Sequence, residues 1–332
     1  IEEIALSVLE IKDSGKKILA TGDEAAARGA LEAGVGYFAT YPGTPASGVG
    51  DSLFKVRNNL SGFHFEYSIN EKVAFEGAVG AALVGIRSMV AMKHLGLNVA
   101  ADPMHHLTNR LIINNFVILN GSDPGMQASA TEQDNRFYSL NTHIPVLQPS
   151  NTQELKDFTI EAFEISKNFN LPVIIDAPSL LLHGLGEVIL GDLPDQYPSL
   201  GKYQRIFADE ENEALGRVGN HLYLLKRRDE VAEYSEHGRI NQHIAGEQEW
   251  GIVTSGVALG YVLEAFELLG ISDVPILKLG MVYPISKNQI LSFAKTVEKV
   301  LIVEEGEGFI EYLVKNIAYD AGLHIPILGK EL

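Results

Sequence analysis

Short apolar runs alternate with helix-length segments through the first half of the chain, and this alternation limits the fold more than any other feature. The pattern predicts strands at 36–40, 64–67, 87–92, 116–120, 145–147 and 172–175, and helices at 23–33, 47–56, 70–85 and 152–167. Ser150 is the predicted cap of the last helix. Strands separated by helices form βαβ units with parallel strands. The first half therefore predicts an α/β domain built on a parallel sheet.

The pattern loosens after Ala177 and becomes regular again at Trp250. A charged helical stretch is predicted at 221–237, followed by strands at 251–255, 274–279 and 300–304 that alternate with helices at 256–269, 286–296 and 307–321. We therefore predict a first domain over residues 1–200, a linker with a charged helical excursion over 201–248, and a smaller α/β domain over 249–332.

Charge and residue usage exclude several classes of function. Asp and Glu number 43 against 26 Lys and Arg, and the resulting net charge of −17 would repel nucleic acid and anionic membranes. The chain has no cysteine, so it holds no iron–sulfur cluster of its own. Its histidines form no metal-ligand spacing, and we predict no metal site. The apolar runs are too short to cross a bilayer, and we predict a cytoplasmic protein.

The helix predicted at 70–85 begins with Asn70 as its cap and Glu71 in its first turn. Free N–H groups and the helix dipole favour negative charge there, so an acid at this position most often only stabilises the helix. A stripe of small residues follows at three- and four-residue spacing: Ala74, Gly77, Ala78, Ala81 and Gly85. We expect this stripe to pack closely against a partner domain or chain.

Three loops with unusual composition follow predicted strands. They are Tyr41-Pro-Gly-Thr-Pro at 41–45, Lys93-His-Leu-Gly-Leu-Asn at 93–98, and the segment 121–136 that opens with Gly-Ser-Asp-Pro-Gly. Taken singly, each is more often a structural turn or solvent-exposed surface than a site. All three, however, fall at the carboxyl edge of one predicted sheet, where open parallel sheets bind ligands. A dinucleotide fingerprint is not supported, because Gly34-Val35-Gly36 follows a helix instead of a strand.

Several of these motifs together resemble a known family. The similarity is carried by the segments 22–35, 41–45, 70–76, 87–103 and 123–136, and by 251–257, 283–285 and 303–305 in the second unit. These segments resemble the thiamine-diphosphate-dependent 2-oxoacid:ferredoxin oxidoreductases, with the alpha subunit of the indolepyruvate type as the nearest member. The resemblance implies a parallel-sheet, pyrimidine-type thiamine-diphosphate-binding domain followed by a smaller transketolase-C-terminal-like α/β domain.

The resemblance also implies roles for individual residues. Glu71 matches the acid that hydrogen-bonds N1′ of the cofactor's aminopyrimidine, and Thr44 matches a hydroxyl near the reacting carbon, so both are the expected catalytic residues. Lys93, His94 and Asn98 are expected to line the same cofactor pocket. The implied reaction is oxidative decarboxylation of a 2-oxoacid, such as indolepyruvate, to an acyl-CoA, with electrons passed to ferredoxin.

Two family features are missing from this sequence. It has no Gly-Asp-Gly segment for the diphosphate and magnesium (Mg), and no Cys-rich module for Fe–S clusters. The resemblance therefore implies a partner subunit or domain that carries both, with ferredoxin, the 2-oxoacid and coenzyme A as further partners. Asp176-Ala-Pro-Ser stands where relatives often have Arg-Thr-Thr, so the arylpyruvate substrate is not fixed. A split transketolase-like transferase, or a non-catalytic scaffold or regulatory subunit, remains an alternative.

Overall fold

The computed structural model describes residues 7–110, 112–198, 200–203, 205–208, 210–237 and 239–330. Of residues 109 and 110 only the backbone is described. The outermost residues of the two predicted domains, 1–6 and 331–332, lie outside the described residues.

Regular elements occupy most of the described chain. In the first part they are β1 (Lys17–Thr21), α1 (Gly22–Glu32), β2 (Tyr37–Thr40), α2 (Ser47–Val56), β3 (His64–Tyr67), α3 (Glu71–Leu83), β4 (Ser88–Lys93), α4 (His94–Val99), α5 (Ala101–Arg110), β5 (Phe116–Ser122), α6 (Tyr138–Thr142), β6 (Val146–Leu147), α7 (Thr152–Phe169), β7 (Val173–Pro178), α8 (Ser179–His183) and β8 (Leu185–Ile189). In the second part they are α9 (Glu210–Glu213), α10 (Gly216–Tyr234), β9 (Gln242–Ile244), β10 (Trp250–Ser255), α11 (Ala258–Leu269), β11 (Ile276–Leu279), β12 (Met281–Tyr283), α12 (Lys287–Ala294), β13 (Lys299–Val303), α13 (Phe309–Asp320) and β14 (Ile327–Leu328).

The main sheet has seven strands in the order β12-β6-β7-β5-β4-β2-β3. All neighbours from β6 to β3 pair in parallel, which confirms the predicted α/β class and its parallel sheet. The edge strand β12 belongs to the second part of the chain and pairs antiparallel with β6. The sequence did not predict it, because a strand of three residues is too short to show a period.

A second sheet has five strands in the order β14-β13-β10-β11-β9. Its apolar face shares a core with the main sheet: Val90 and Ile118 of the main sheet belong to the same buried cluster as Val253, Ile302 and Phe309. The second unit is therefore packed onto the first through a continuous apolar core. Helix α10 in the predicted excursion also buries Leu224 and Val231 in the first unit's core.

Two local predictions were wrong. The segment 93–98 is not a loop, because His94–Val99 forms a short helix with Lys93 at its N-cap. Helix α7 is capped by Asn151 instead of Ser150, since Oδ1 of Asn151 accepts the backbone N–H of Glu154 at 2.9 Å. Ser150 instead donates its own N–H to the Glu154 carboxylate at 2.8 Å.

Most of the small-residue stripe on α3 packs against its own chain, and Gly85 at its end is exposed. Ala74, Ala78 and Ala81 are buried within this chain. A Cβ built on Gly77 would lie 2.5 Å from the hydroxyl of Tyr37, so this glycine admits the tyrosine of the neighbouring strand. The close approach that the stripe predicted is real, but its partner is the main sheet of the same chain.

Candidate functional site

The three unusual segments meet at the carboxyl edge of the main sheet. A Cβ built on Gly43 would lie 3.0 Å from Cδ of Lys93, so the 41–45 turn lies against the end of β4. A Cβ built on Gly121 would lie 3.2 Å from Cγ of Pro45, which brings the end of β5 against the same turn. The structure therefore places these segments side by side, as their positions in the sequence predicted.

Glu71 is buried at the start of α3, with only 8% of its surface exposed. Asn70 caps the helix by accepting the N–H of Val73 at 2.9 Å, which fixes the position of the first turn. The carboxylate faces Gly96 of α4, where a Cβ would lie 2.5 Å from Oε1. Within the described residues no hydrogen bond to this carboxylate is found, and its oxygens are not among the fully buried unpartnered atoms, so they still reach solvent. A carboxylate without protein donors is a ready acceptor for a ligand N–H.

The side chains of Thr44 and Lys93 also form no hydrogen bond or ion pair with the described residues. The Thr44 side chain is exposed, and the part of the chain that the structure describes offers its hydroxyl no hydrogen bond. Lys93 is half-buried with its stem on Gly43, and among the described carboxylates none pairs with its ammonium. These two residues and Glu71 therefore present a hydroxyl, a cation and a carboxylate at one edge.

His94 and Asn98 are placed differently. The His94 ring is fully buried, and its Nε2 lies 3.0 Å from the carbonyl of Thr131. A carbonyl only accepts, so Nε2 is assigned the proton, which leaves Nδ1 as an acceptor with no partner among the described atoms. Asn98 exchanges two 2.8 Å hydrogen bonds with Gln133 and accepts one from Tyr138. Both residues therefore fasten segment 121–136 onto α4.

Sequence reasoning missed a buried chain of hydrogen bonds behind these residues, which we call the Asp176 network. Its members are Asn120, Asn135, Gln148, Asp176 and Ser255. Burial raises the pKa of the Asp176 carboxyl. The sequence singled out Asp176 only as a departure from relatives at a substrate-side segment. In the structure its carboxylate binds Asn120 and Gln148 in the interior.

A buried ion pair joins segment 121–136 to the second unit. Arg136 binds Asp134 at 2.5 Å and Glu304 at 2.8 Å, and all three side chains are almost completely buried. Glu304 also accepts the N–H groups of Ile310 and Glu311, at the start of α13. The site edge and the second unit are thus fixed to each other by charge-assisted hydrogen bonds.

Another buried carboxyl, that of Asp23, lies under the start of α2. It accepts the N–H of Val49, while its Oδ1 has no partner in the described part of the chain. Burial, with the nearby charges of Asp51 and then Glu24, raises its pKa to about 7. Because α2 directly follows the 41–45 turn, Asp23 supports the segment that carries Thr44.

Comparisons with known proteins match two family models to consecutive parts of the chain. A family model described as pyruvate flavodoxin/ferredoxin oxidoreductase, thiamine diP-binding, matches residues 28–243. A second model, described as an indolepyruvate oxidoreductase domain, matches residues 242–332. The two models together account for nearly all of the chain.

Curated relatives agree with these matches. Subunits named indolepyruvate oxidoreductase subunit IorA are 41% identical in Thermococcus kodakarensis, over 96% of this chain and 50% of the relative, and 39% identical in Archaeoglobus fulgidus, over 91% and 49%. The chain thus spans about half the length of these relatives. A 2-oxoglutarate synthase subunit KorA from Archaeoglobus fulgidus is 24% identical over 93% of this chain and 96% of its own length.

Solved structures share the fold. A 2-oxoglutarate:ferredoxin oxidoreductase from Magnetococcus marinus has a TM-score of 0.74 at 16% identity, over 94% of this chain and 61% of that chain. An inactive β4 tetramer of a split-gene transketolase has a TM-score of 0.59 at 15% identity, over 93% and 87%. Among the helices that the structure describes, none has the length and apolarity needed to cross a membrane.

Proposed function

This chain belongs to the pyruvate flavodoxin/ferredoxin oxidoreductase family of thiamine-diphosphate-binding proteins, and from that membership we propose that it is the pyrimidine-binding part of a 2-oxoacid:ferredoxin oxidoreductase. The observation that carries the proposal is the environment of the Glu71 carboxylate. Glu71 is mostly buried at a helix start, its carboxylate lacks any donor among the described residues, and it packs closely against Gly96.

The residues at this edge fit thiamine diphosphate. A ring N–H would satisfy the unpaired carboxylate of Glu71, and the glycine at 96 allows that carboxylate to lie where a larger side chain would clash with it. When bound, the cofactor supplies a carbon nucleophile for the keto group and an electron sink for the bond to the departing CO₂. Glu71 would hold a proton between its Oε1 and the ring nitrogen, and general acid–base help of this kind contributes typically 10² to 10⁴ in rate.

The other edge residues have complementary tasks in this proposal. The free hydroxyl of Thr44 would donate to the carboxylate of the 2-oxoacid, and the ammonium of Lys93 would balance negative charge in the pocket. His94 and Asn98 remain proposed pocket residues. His94 would contribute its free Nδ1, and Asn98 would act by holding segment 121–136 in place.

The partners are part of the proposal. The chain contains no cysteine and no Gly-Asp-Gly segment, and it spans half the length of its IorA relatives. We infer that the diphosphate- and magnesium-binding half and the Fe–S clusters reside on a partner subunit or domain, and that ferredoxin and coenzyme A are co-substrates. A cytoplasmic location remains a prediction from composition.

The substrate class follows from the relatives. Identity is 41% to a subunit named for indolepyruvate and 24% to one named for 2-oxoglutarate, which favours an arylpyruvate such as indolepyruvate. Asp176 does not weaken this inference, because its buried carboxylate binds two side-chain amides. The segment that departs from relatives thus carries a buried hydrogen-bonding group.

The experiment is to purify the assembled enzyme and measure its thiamine diphosphate content and its 2-oxoacid-dependent reduction of a viologen dye. We expect indolepyruvate and coenzyme A to yield an acyl-CoA, CO₂ and reduced dye. The shared fold with a split-gene transketolase supports one second candidate, a transferase that moves its two-carbon unit to an aldehyde without any electron acceptor. Product transfer in the absence of dye would favour that candidate, and a complex free of thiamine diphosphate would favour a scaffold.

A further inference from the structure

The Asp176 network connects the second unit to the first turn of α4 without a break. Ser255 on β10 donates its hydroxyl to Gln148 at 2.7 Å, and Gln148 donates its amide to Asp176 at 2.7 Å. On the other side, Asn120 donates to Asp176 at 2.6 Å. Asn135 then donates both to Asn120 and to the backbone carbonyl of His94, each at 2.8 Å.

Every direction in this network follows from the carboxylate at its centre. An ionised carboxylate only accepts hydrogen bonds, so both neighbouring amides must turn their NH₂ groups toward Asp176. Their oxygens then point away, toward Ser255 and Asn135, and each of those side chains must donate. A flipped amide anywhere would bring two donors or two acceptors together. With Asp176 ionised, the network therefore has only one arrangement of donors and acceptors.

All five side chains are buried, so a broken link is not replaced cheaply by water. The end of the network at the His94 carbonyl lies close to the proposed site. The carbonyl of His94 belongs to the first residue of α4, and Gly96, two residues later, is the residue that the Glu71 carboxylate faces. A small shift of this turn changes the space beside that carboxylate.

We propose that the second unit positions the first turn of α4 through the Asp176 network. Ser255 is then a positioning residue: it lies on the second sheet and acts on the site only through Gln148 and Asp176. The part of this inference that concerns turnover rests on the proposed function. The part that concerns the order of α4 does not.

The chain provides a matched pair of variants for the test. Ser255→Ala removes the hydroxyl that begins the network. Thr254→Val removes the hydroxyl of the preceding residue on the same strand, which is also fully buried but has no hydrogen-bond partner among the described residues. Both changes delete one buried oxygen from β10, and only the first one cuts the network. Gln148→Leu breaks the next link and serves as a second cut.

Two measurements on the full-length protein decide the proposal. Amide hydrogen exchange of residues 94–99 should become several-fold faster in Ser255→Ala and Gln148→Leu and stay at the wild-type rate in Thr254→Val. In the assembled enzyme, the apparent affinity for thiamine diphosphate should fall about twofold to thirtyfold in the first two variants, the usual range of coupling through packed networks. The control should remain within twofold of wild type.

Equal behaviour of Ser255→Ala and Thr254→Val in the exchange measurement overturns the proposal. If the wild-type enzyme shows no thiamine-dependent turnover of any 2-oxoacid, the proposed function fails. The exchange comparison still decides the role of the network in that case, because it requires no activity. A variant with faster exchange at α4 but a matching loss of protection across the whole chain would indicate general destabilisation and would also count against the proposal.

Discussion

Two buried acidic residues, Glu71 and Asp176, lie at the same edge of the main sheet but differ in the hydrogen bonds that their carboxylates accept. Asp176 accepts an amide N–H on each oxygen. Glu71 is buried to a similar degree but accepts no hydrogen bond within the described chain. The carboxylate of Asp176 is thus fixed by internal donors, whereas the oxygens of Glu71 remain available as acceptors. The comparison separates an acid that the structure itself holds from one that we propose binds a ligand.

The neighbourhood of each acid agrees with this distinction. The amides around Asp176 belong to a network that extends into the second unit, and the nearby Arg136 pairs with two further acids. Glu71 lies against Gly96, and no side chain of the described chain donates a hydrogen bond to its carboxylate. The carboxylate of Asp176 is therefore hydrogen-bonded internally, whereas that of Glu71 has no partner in the described chain. The following changes test that difference, in order of expected effect.

Glu71→Gln should have the largest effect. It preserves shape but removes the acceptor charge, and we expect turnover of the 2-oxoacid to fall by about 10² to 10⁴. The free energy of unfolding should fall by at most about 1 kcal/mol, because the carboxylate accepts no internal hydrogen bond and the variant loses only its charge at the helix start. Steady-state dye reduction and urea denaturation measure the two quantities. Near-wild-type turnover in the assembled enzyme would remove Glu71 from the proposed chemistry.

Arg136→Met, in contrast to Glu71→Gln, should have its main effect on the free energy of unfolding. It leaves Asp134 and Glu304 buried without their cation, and we expect a loss of about 3 to 5 kcal/mol in the free energy of unfolding. Lys17→Met is the control, since its pair with Glu187 is more than half exposed and should contribute at most about 1 kcal/mol. Urea denaturation of both variants gives the comparison. Similar losses in the two variants would show that burial does not govern these pairs.

Gly96→Ala tests the close contact between Gly96 and the Glu71 carboxylate. The new Cβ would lie 2.5 Å from Oε1, so the carboxylate must move. A displacement of about 1 Å at a catalytic group can cost up to about 10²-fold in rate. Gly80→Ala is the matched helical control: within the described residues nothing lies within 4 Å of its Cβ, and it should gain about 1 kcal/mol of stability with unchanged turnover. Equal kinetics for both variants would show that the glycine at 96 is not needed for space.

Asp23 stands between the two extremes, with one oxygen bonded and the other without a described partner. Its pKa is raised from 3.8 to about 7, so the folded state holds a proton that the unfolded state releases between these values. Stability therefore decreases as pH rises from about 4 to 7. Asp23→Asn should flatten that slope by up to about 1.4 kcal/mol per pH unit. An unchanged slope in urea denaturation from pH 4 to 7 would contradict the raised pKa.

The sequence predicted much of the fold because its signals are local. Helix α2 and strand β3 have the predicted bounds, Ser47–Val56 and His64–Tyr67, since an apolar period and its flanking turn residues lie within a few positions. The ribbon of β1 and β8 was missed. Its two strands are paired across more than 150 residues of chain, and neither carries an alternating pattern strong enough to stand alone.

The site, too, was only partly predictable from the sequence. The positions of Thr44, Glu71 and Lys93 after successive strands predicted that they would share an edge, because parallel strands end together. The sequence could not tell that His94 is buried against Thr131, or that Asn98 is bonded to Gln133. Those contacts depend on how segment 121–136 folds back over α4, and no repeating pattern encodes that path.

By itself, then, the sequence determined the α/β class, the parallel sheet, the shared edge of the three unusual segments and the family to which the motifs point. Each of these follows from patterns of a few residues or from the order of elements along the chain. Only the tertiary structure decided which buried acid is paired and which is free. Pairing requires donors from distant segments, as when Gln148 and Asn120 converge on Asp176, and such convergence exists only after the sheet has assembled.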